Sequence, residues 1–205
     1  MNTRFLELMQ TGGPLMWVIF IVAFTAFSLI VWQALVLLKN LRLSYEDYRW
    51  LQSDADIFMQ PDGASRSPIR ALIKNVEKCR FKSREEVAGT INVQLATIVP
   101  KLEGHLGTIS TIASILPMLG LLGTVLGMIN VFEVVAIHGS GKPEAMAEGI
   151  SQALLTTASG LIFAIPIIFL HHLLMKKFDR LILLVTQSAQ ILLINCSREK
   201  SEPSL

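Results

Sequence analysis

Three long uncharged runs decide what this chain can become. Residues 14–38, 106–137 and 150–175 hold between them a single Asp, Glu, Lys or Arg, namely Glu133 near the end of the second run. Each run exceeds the roughly 20 residues that an α-helix needs to cross the hydrocarbon core of a bilayer. With 52% of its 205 residues hydrophobic and 17% charged, the chain carries more apolar surface than one soluble domain of this size can hide. The surplus sits in these blocks. The first run is too long for the apolar core of a secretion signal, and no small-residue cleavage site follows it, so it is expected to persist as a span. The expected fold class is all-α, with three transmembrane helices embedded in a lipid bilayer.

The basic residues set the expected orientation. All 18 Lys and Arg except Arg4 and Lys142 fall between the first and second runs or after the third. By the positive-inside rule those regions are cytoplasmic. The expected map is a periplasmic N-terminus over 1–13, a first span over 14–38, and a cytoplasmic helical region over 39–105. A second span over 106–137, a periplasmic loop over 138–149, a third span over 150–175 and a cytoplasmic helical tail over 176–205 complete it. A net charge of +2 gives no reason to expect nucleic acid as a partner. Cys79 and Cys196 are too few and too far apart for a disulfide or metal framework.

The long cytoplasmic region divides at residues 54–68, where Pro61, Asp62-Gly63 and Pro68 mark a loop. Before it, residues 41–52 are expected to continue the first span as helix. After it, Ile69, Leu72, Ile73 and Val76 recur at helical spacing within 68–82. Ser83-Arg84-Glu85-Glu86 matches a capping box, Ser followed three residues later by Glu. It should open a helix through Val87, Ile91, Leu95 and Ile98 that runs on into the second span, with Pro100 and Pro117 kinking it. The tail carries Phe178, Leu181, Ile182, Leu184, Val185, Ile191 and Leu192. That pattern is too interrupted for a fourth span, and is expected to be the third helix projecting into the cytosol and packing there.

The second span contains Gly120, Gly123, Thr124 and Gly127. At 100° per residue these four share one face about 100° wide. Association in lipid depends on packing, so a smooth glycine face admits a close neighbour, and helix packing explains the glycines fully. In the third span Gln152, Thr156 and Ser159 form one stripe, and Ala153, Thr157, Gly160 and Ala164 form another. Polar side chains inside a span face protein or water rather than lipid. Interhelical hydrogen bonding and the lining of a hydrated pore both account for this arc.

Other signals lead nowhere. His138-Gly-Ser-Gly-Lys142 departs from a phosphate-binding loop, since Ala136 stands at the first glycine position and Pro143 replaces the Ser or Thr. His171 and His172 sit at the end of the third span without a partner cluster for a metal. No nucleophile–base pair is evident, so neither an enzyme nor a cofactor is expected.

Leu119-Gly-Leu-Leu-Gly-Thr-Val-Leu-Gly-Met128, with Gly149-Ile-Ser-Gln-Ala-Leu-Leu-Thr-Thr-Ala-Ser-Gly-Leu161 and then Ala164-Ile-Pro166, resembles the signature of the ExbB/TolQ/MotA family, and ExbB most. The resemblance implies a pentameric ring whose second and third spans line a pore. An ExbD-like single-span partner would sit inside it and carry the proton on an aspartate. The implied function is a proton-motive-force motor of the bacterial inner membrane that energises a TonB-like protein for iron-siderophore or haem uptake. A TolQ-like role in envelope maintenance and a non-conducting membrane scaffold are the alternatives. Position by position, Thr124 and Thr157 fall on the family's pore-facing threonines, with Gln152, Thr156 and Ser159 along the same path. Gly120, Gly123, Gly127, Gly160 and Ala164 serve helix packing. Where the family commonly carries a glutamate before Ala-Leu-Leu, this chain has Gln152, an amide that cannot titrate.

Overall fold

A computed structural model describes residues 12–52, 67–78, 84–138 and 143–198. Among these, the regular elements are five α-helices: α1 (Gly13–Gln52), α2 (Pro68–Lys78), α3 (Arg84–Glu103), α4 (Leu106–His138) and α5 (Pro143–Arg198). Helices α1, α4 and α5 are long and apolar enough to cross a membrane. In their most apolar stretches only 22%, 28% and 33% is buried within the chain. Continuous apolar surface on that scale needs lipid or other protein chains around it.

The chain forms two compact units. One comprises Met1–Trp32 and His105–His172, and the other Gln33–Gly104 and Leu173–Leu205. In the first, α1 begins at Gly13, whose φ of 70° suits glycine, and Pro14 follows where a missing N–H costs nothing. Met16, Ile19, Ala23, Ala26 and Ile30 then recur every three or four residues as a buried stripe, while Trp17, Ile21 and Phe24 point outward. Phe20 meets Phe163 of α5 edge to face, with ring centroids 6.1 Å apart.

In the second unit α2 packs on α3, burying Ile69, Leu72 and Ile73 of the one and Val87 and Ile91 of the other. Ser67 caps α2. Its Oγ accepts the Arg70 N–H at 3.1 Å and donates to Asp47 of α1, whose other oxygen accepts from Arg70 Nε at 2.9 Å. Asp47 and Ser67 are both buried, so this cluster fixes the start of α2 through polar groups that lie out of water. Further along α5, Phe178, Leu181, Leu184, Val185, Ala189 and Leu192 are buried, and the interrupted apolar pattern of the tail is one wide helical face.

One expectation fails. The chain does not pass from α3 into the second span as a single kinked helix; it breaks at Gly104–His105. Gly104 adopts a φ of 54°, and its N–H closes on the Pro100 carbonyl at 3.2 Å. Gln33 of α1, only 2% exposed, donates its amide to the Leu102 and Glu103 carbonyls at 3.2 and 3.1 Å. The carbonyls that a helix end leaves orphaned are thus capped by a distant side chain. Pro100 and Pro117, by contrast, lie inside helices. The expected loop at 54–68 lies mostly outside the described residues, as do the capping Ser83 and the end of the helix expected over 68–82.

Candidate functional site: the seam and polar arc of α4 and α5

Glycine brings α4 and α5 into backbone contact. A Cβ added at Gly160 would lie 2.8 Å from the Leu116 carbonyl oxygen and 3.0 Å from Gly120 Cα. One added at Gly120 would meet Thr157 Cα at 3.1 Å, and one at Gly127 would meet Ala153 Cβ at 2.6 Å and the Gly149 carbonyl at 3.0 Å. Gly123 faces Thr156 in the same way, and Ala164, one turn beyond Gly160, is fully enclosed. All five small residues expected to serve packing are buried, four of them along this seam.

The polar residues divide by depth. Thr156 is 1% exposed, and its hydroxyl donates to the carbonyls of Gln152 and Ala153 at 3.1 and 2.9 Å. Ser159 is likewise buried. Thr157 is half-buried and donates across the seam to the Gly120 carbonyl at 2.7 Å. That bond uses a carbonyl already engaged in its own helix, and close approach at glycine makes it reachable. Thr124, one turn beyond Gly120, is half-buried and donates to the Leu121 carbonyl at 2.7 Å. Gln152 is half-buried, and its amide occupies the space that a side chain at Gly13 would need. Thr124, Thr157 and Gln152 therefore keep surface outside the fold of one chain, whereas Thr156 and Ser159 stand behind them.

A further group of hydroxyls was not singled out from the sequence. Thr108, Ser110, Thr111 and Ser114 are exposed on the first turns of α4, with Thr111 and Ser114 bonded to the carbonyls of Gly107 and Ser110 at 3.0 and 3.1 Å. The signal was present: hydroxyls recur at spacings of three and four from Thr108 to Ser114, inside a span whose opposite side is Ile109, Ala113 and Leu116. The same exposed stripe continues as Met118, Leu121 and Val125.

What this surface can do is limited by what it lacks. No Asp, Glu, Lys or Arg lies between Leu106 and Phe132 or between Ile150 and Met175. His171 and His172, with rings 5.9 Å apart, sit near the end of that last stretch. Among the described residues no group of three His, Cys, Asp or Glu could hold a metal. Hydroxyls and an amide can order water or a partner's polar group, but they cannot by themselves release and rebind a proton.

These features define a multi-pass membrane protein whose second and third spans form a tight pair with a polar, uncharged arc. Residues 64–187 match the MotA/TolQ/ExbB proton channel family, and the chain belongs to that family. It is 28% identical over 117 residues to an ExbB homolog of biopolymer transport from Methanothermobacter thermautotrophicus, covering 57% of this chain and 41% of that one. It is 30% identical over 142 residues to the Tol-Pal system protein TolQ of Pseudomonas aeruginosa, covering 66% of this chain and 60% of that one. A shorter stretch of 58 residues is 43% identical to the biopolymer transport protein exbB1 of Vibrio cholerae, covering 28% and 25%. The chain spans less than two thirds of the length of each of these relatives.

Proposed function

We propose that this chain is the ring-forming subunit of an inner-membrane motor driven by the proton-motive force, of the ExbB kind. The observation that carries this reading is the pairing of a polar arc with the absence of any mid-span acid. A charge at mid-bilayer costs several kcal/mol or more unless it is solvated or neutralised, so a proton path needs a titratable group within a polar lining. This chain supplies lining, and an ExbD-like single-span partner supplies the acid from inside a ring of identical copies, a pentamer. Thr124, Thr157 and Gln152 border the path, with Thr156 and Ser159 supporting them from behind. Gln152 holds water or the partner's carboxyl by hydrogen bonds and does not exchange a proton. The distribution of Lys and Arg supports a periplasmic N-terminus and a cytoplasmic C-terminus. The work delivered is to a TonB-like protein for nutrient import across the outer membrane.

The test is substitution of Thr124 and of Thr157 by valine in cells that depend on TonB-type uptake. Uptake should fall while the complex still assembles. Thr157 also bonds the Gly120 carbonyl, so its valine variant forfeits about 0.6–1.7 kcal/mol of helix association. Thr157→Ser keeps the hydroxyl and should retain uptake. Unchanged uptake in both valine variants would remove the pore from this account. A TolQ-like role has its own support, because the match to the Pseudomonas aeruginosa protein is the longest of the three reported. Loss of detergent resistance without loss of uptake in a deletion strain would favour it.

A further inference from the structure

Where the first span ends, α1 and α5 form a groove of about 600 Å³ lined by Leu38, Leu41, Arg42, Tyr45, Glu46 and Arg180. Leu38, Leu41 and Tyr45 make its lining largely apolar, and its charged members are Arg42, Arg180 and Glu46. Leu35, Leu38, Arg42 and Glu46 lie along one side of α1, so the exposed apolar surface of the span runs directly into the groove. Arg42 faces Glu46 at 4.0 Å, but the two side chains are 87% and 68% exposed, a contact that water largely screens. Arg180 is exposed, and Glu46 is the one acidic side chain among the residues that line the groove. Lys39, Lys176 and Lys177 flank the same level with Asp179, all exposed, leaving positive charge in excess.

Depth decides what such a groove would meet. At 1.5 Å per residue Arg42 stands about 6 Å beyond Leu38, the end of the first apolar run, and Arg180 about 7.5 Å beyond Met175, the end of the third. The headgroup layer on each side of a bilayer is about 5–8 Å deep. Both guanidinium groups therefore fall at the level of lipid phosphates, with Leu35 and Leu38 below them at the level of the acyl chains. Guanidinium is the side chain best suited to a phosphate oxygen pair, and the Tyr45 ring and hydroxyl suit the interface.

We propose that this groove holds one anionic phospholipid of the leaflet at the Lys39/Lys176 end of the spans, its phosphate between Arg42 and Arg180 and an acyl chain along Leu38 and Leu35. The site depends on the three-span reading and not on the motor reading. The full chain, purified in mild detergent, is offered phosphatidylglycerol or phosphatidylcholine of matched acyl chains, and bound lipid is counted by native mass spectrometry. Phosphatidylglycerol should be retained in preference. Removing both arginines as Arg42→Gln/Arg180→Gln should lower that preference about 25-fold, at about fivefold per basic residue. Lys176→Gln/Lys177→Gln removes the same charge outside the lining and should leave most of it. Inorganic phosphate at millimolar concentration should not displace the lipid.

Equal retention of the two lipids would overturn the proposal, as would an equal loss in the arginine and lysine variants, which would mean surface charge alone. Displacement by phosphate would also overturn it, as would an arginine variant that changes subunit number but not lipid binding, since the groove would then belong to a second copy. If the spans themselves were misread, neither lipid would copurify, an outcome separable from equal binding of both.

Discussion

Replacing Gly160 by alanine strikes the α4–α5 seam where it has least room. The added methyl carbon would arrive 2.8 Å from the Leu116 carbonyl oxygen, 3.0 Å from Gly120 Cα and 3.2 Å from Gly120 N, all backbone atoms of α4. A side-chain tip can rotate aside, but backbone cannot. Ordinary contact begins at 3.4 Å, so the helices must part locally by about 0.6 Å, and a gap of 0.5–1 Å forfeits a quarter to a half of each dispersion contact along it. Overpacking of this kind costs about 1–3 kcal/mol. Alanine's better helix propensity returns about 0.5–1 kcal/mol. The net loss is up to about 2.5 kcal/mol, or as much as roughly a 70-fold shift toward the unfolded state.

Gly107 supplies the opposite sign. It is exposed on the same α4 helix, and a Cβ there would meet nothing within 4 Å. Gly107→Ala should therefore gain up to about 1 kcal/mol. Unfolding of the purified protein in mixed micelles, titrated with SDS and followed by circular dichroism, measures both. Gly160→Ala should unfold at lower SDS than the parent and Gly107→Ala at equal or higher. If Gly160→Ala matched or exceeded the parent, backbone contact at the seam would not be what holds α4 to α5.

Two further substitutions probe the second unit. Gln33→Leu removes the donor to the Leu102 and Glu103 carbonyls, at a cost of about 1–3 kcal/mol. Amide exchange at the end of α3 should quicken, and unchanged exchange there would show that Gln33 does not hold the break. Asp47→Ala takes an acceptor from both Ser67 and Arg70, again at about 1–3 kcal/mol. Exchange should rise through α2 while α4 amides stay as they were; a uniform rise would mean global destabilisation instead.

The spans were legible because composition alone marks them, and the glycine face was legible because helical geometry is fixed. Gly120, Gly123 and Gly127 cannot avoid sharing a side once the segment is helical. The depth order within the polar arc was not legible. Whether Thr156 or Thr157 keeps outer surface depends on where a neighbouring helix lies, which periodicity along one segment does not encode. The break at Gly104 was hidden for a related reason. The side chain that caps it, Gln33, lies 69 residues before Leu102, in what reads as an isolated amide in an apolar run. The Asp47–Ser67–Arg70 cluster likewise joins groups whose separation of about twenty residues carries no pattern.

The glycine seam has a mechanical consequence. Two helices that touch through their backbones have no side-chain slack between them. Sliding one past the other by a single residue rise, about 1.5 Å, would carry Thr157 and Ala153 off Gly120 and Gly127, the glycines they now face, toward the bulkier neighbours of those glycines on α4. The pair cannot serve as a shutter that opens by slippage. It can only tilt or turn as one piece, and any rearrangement of the spans would take place around this pair and not within it.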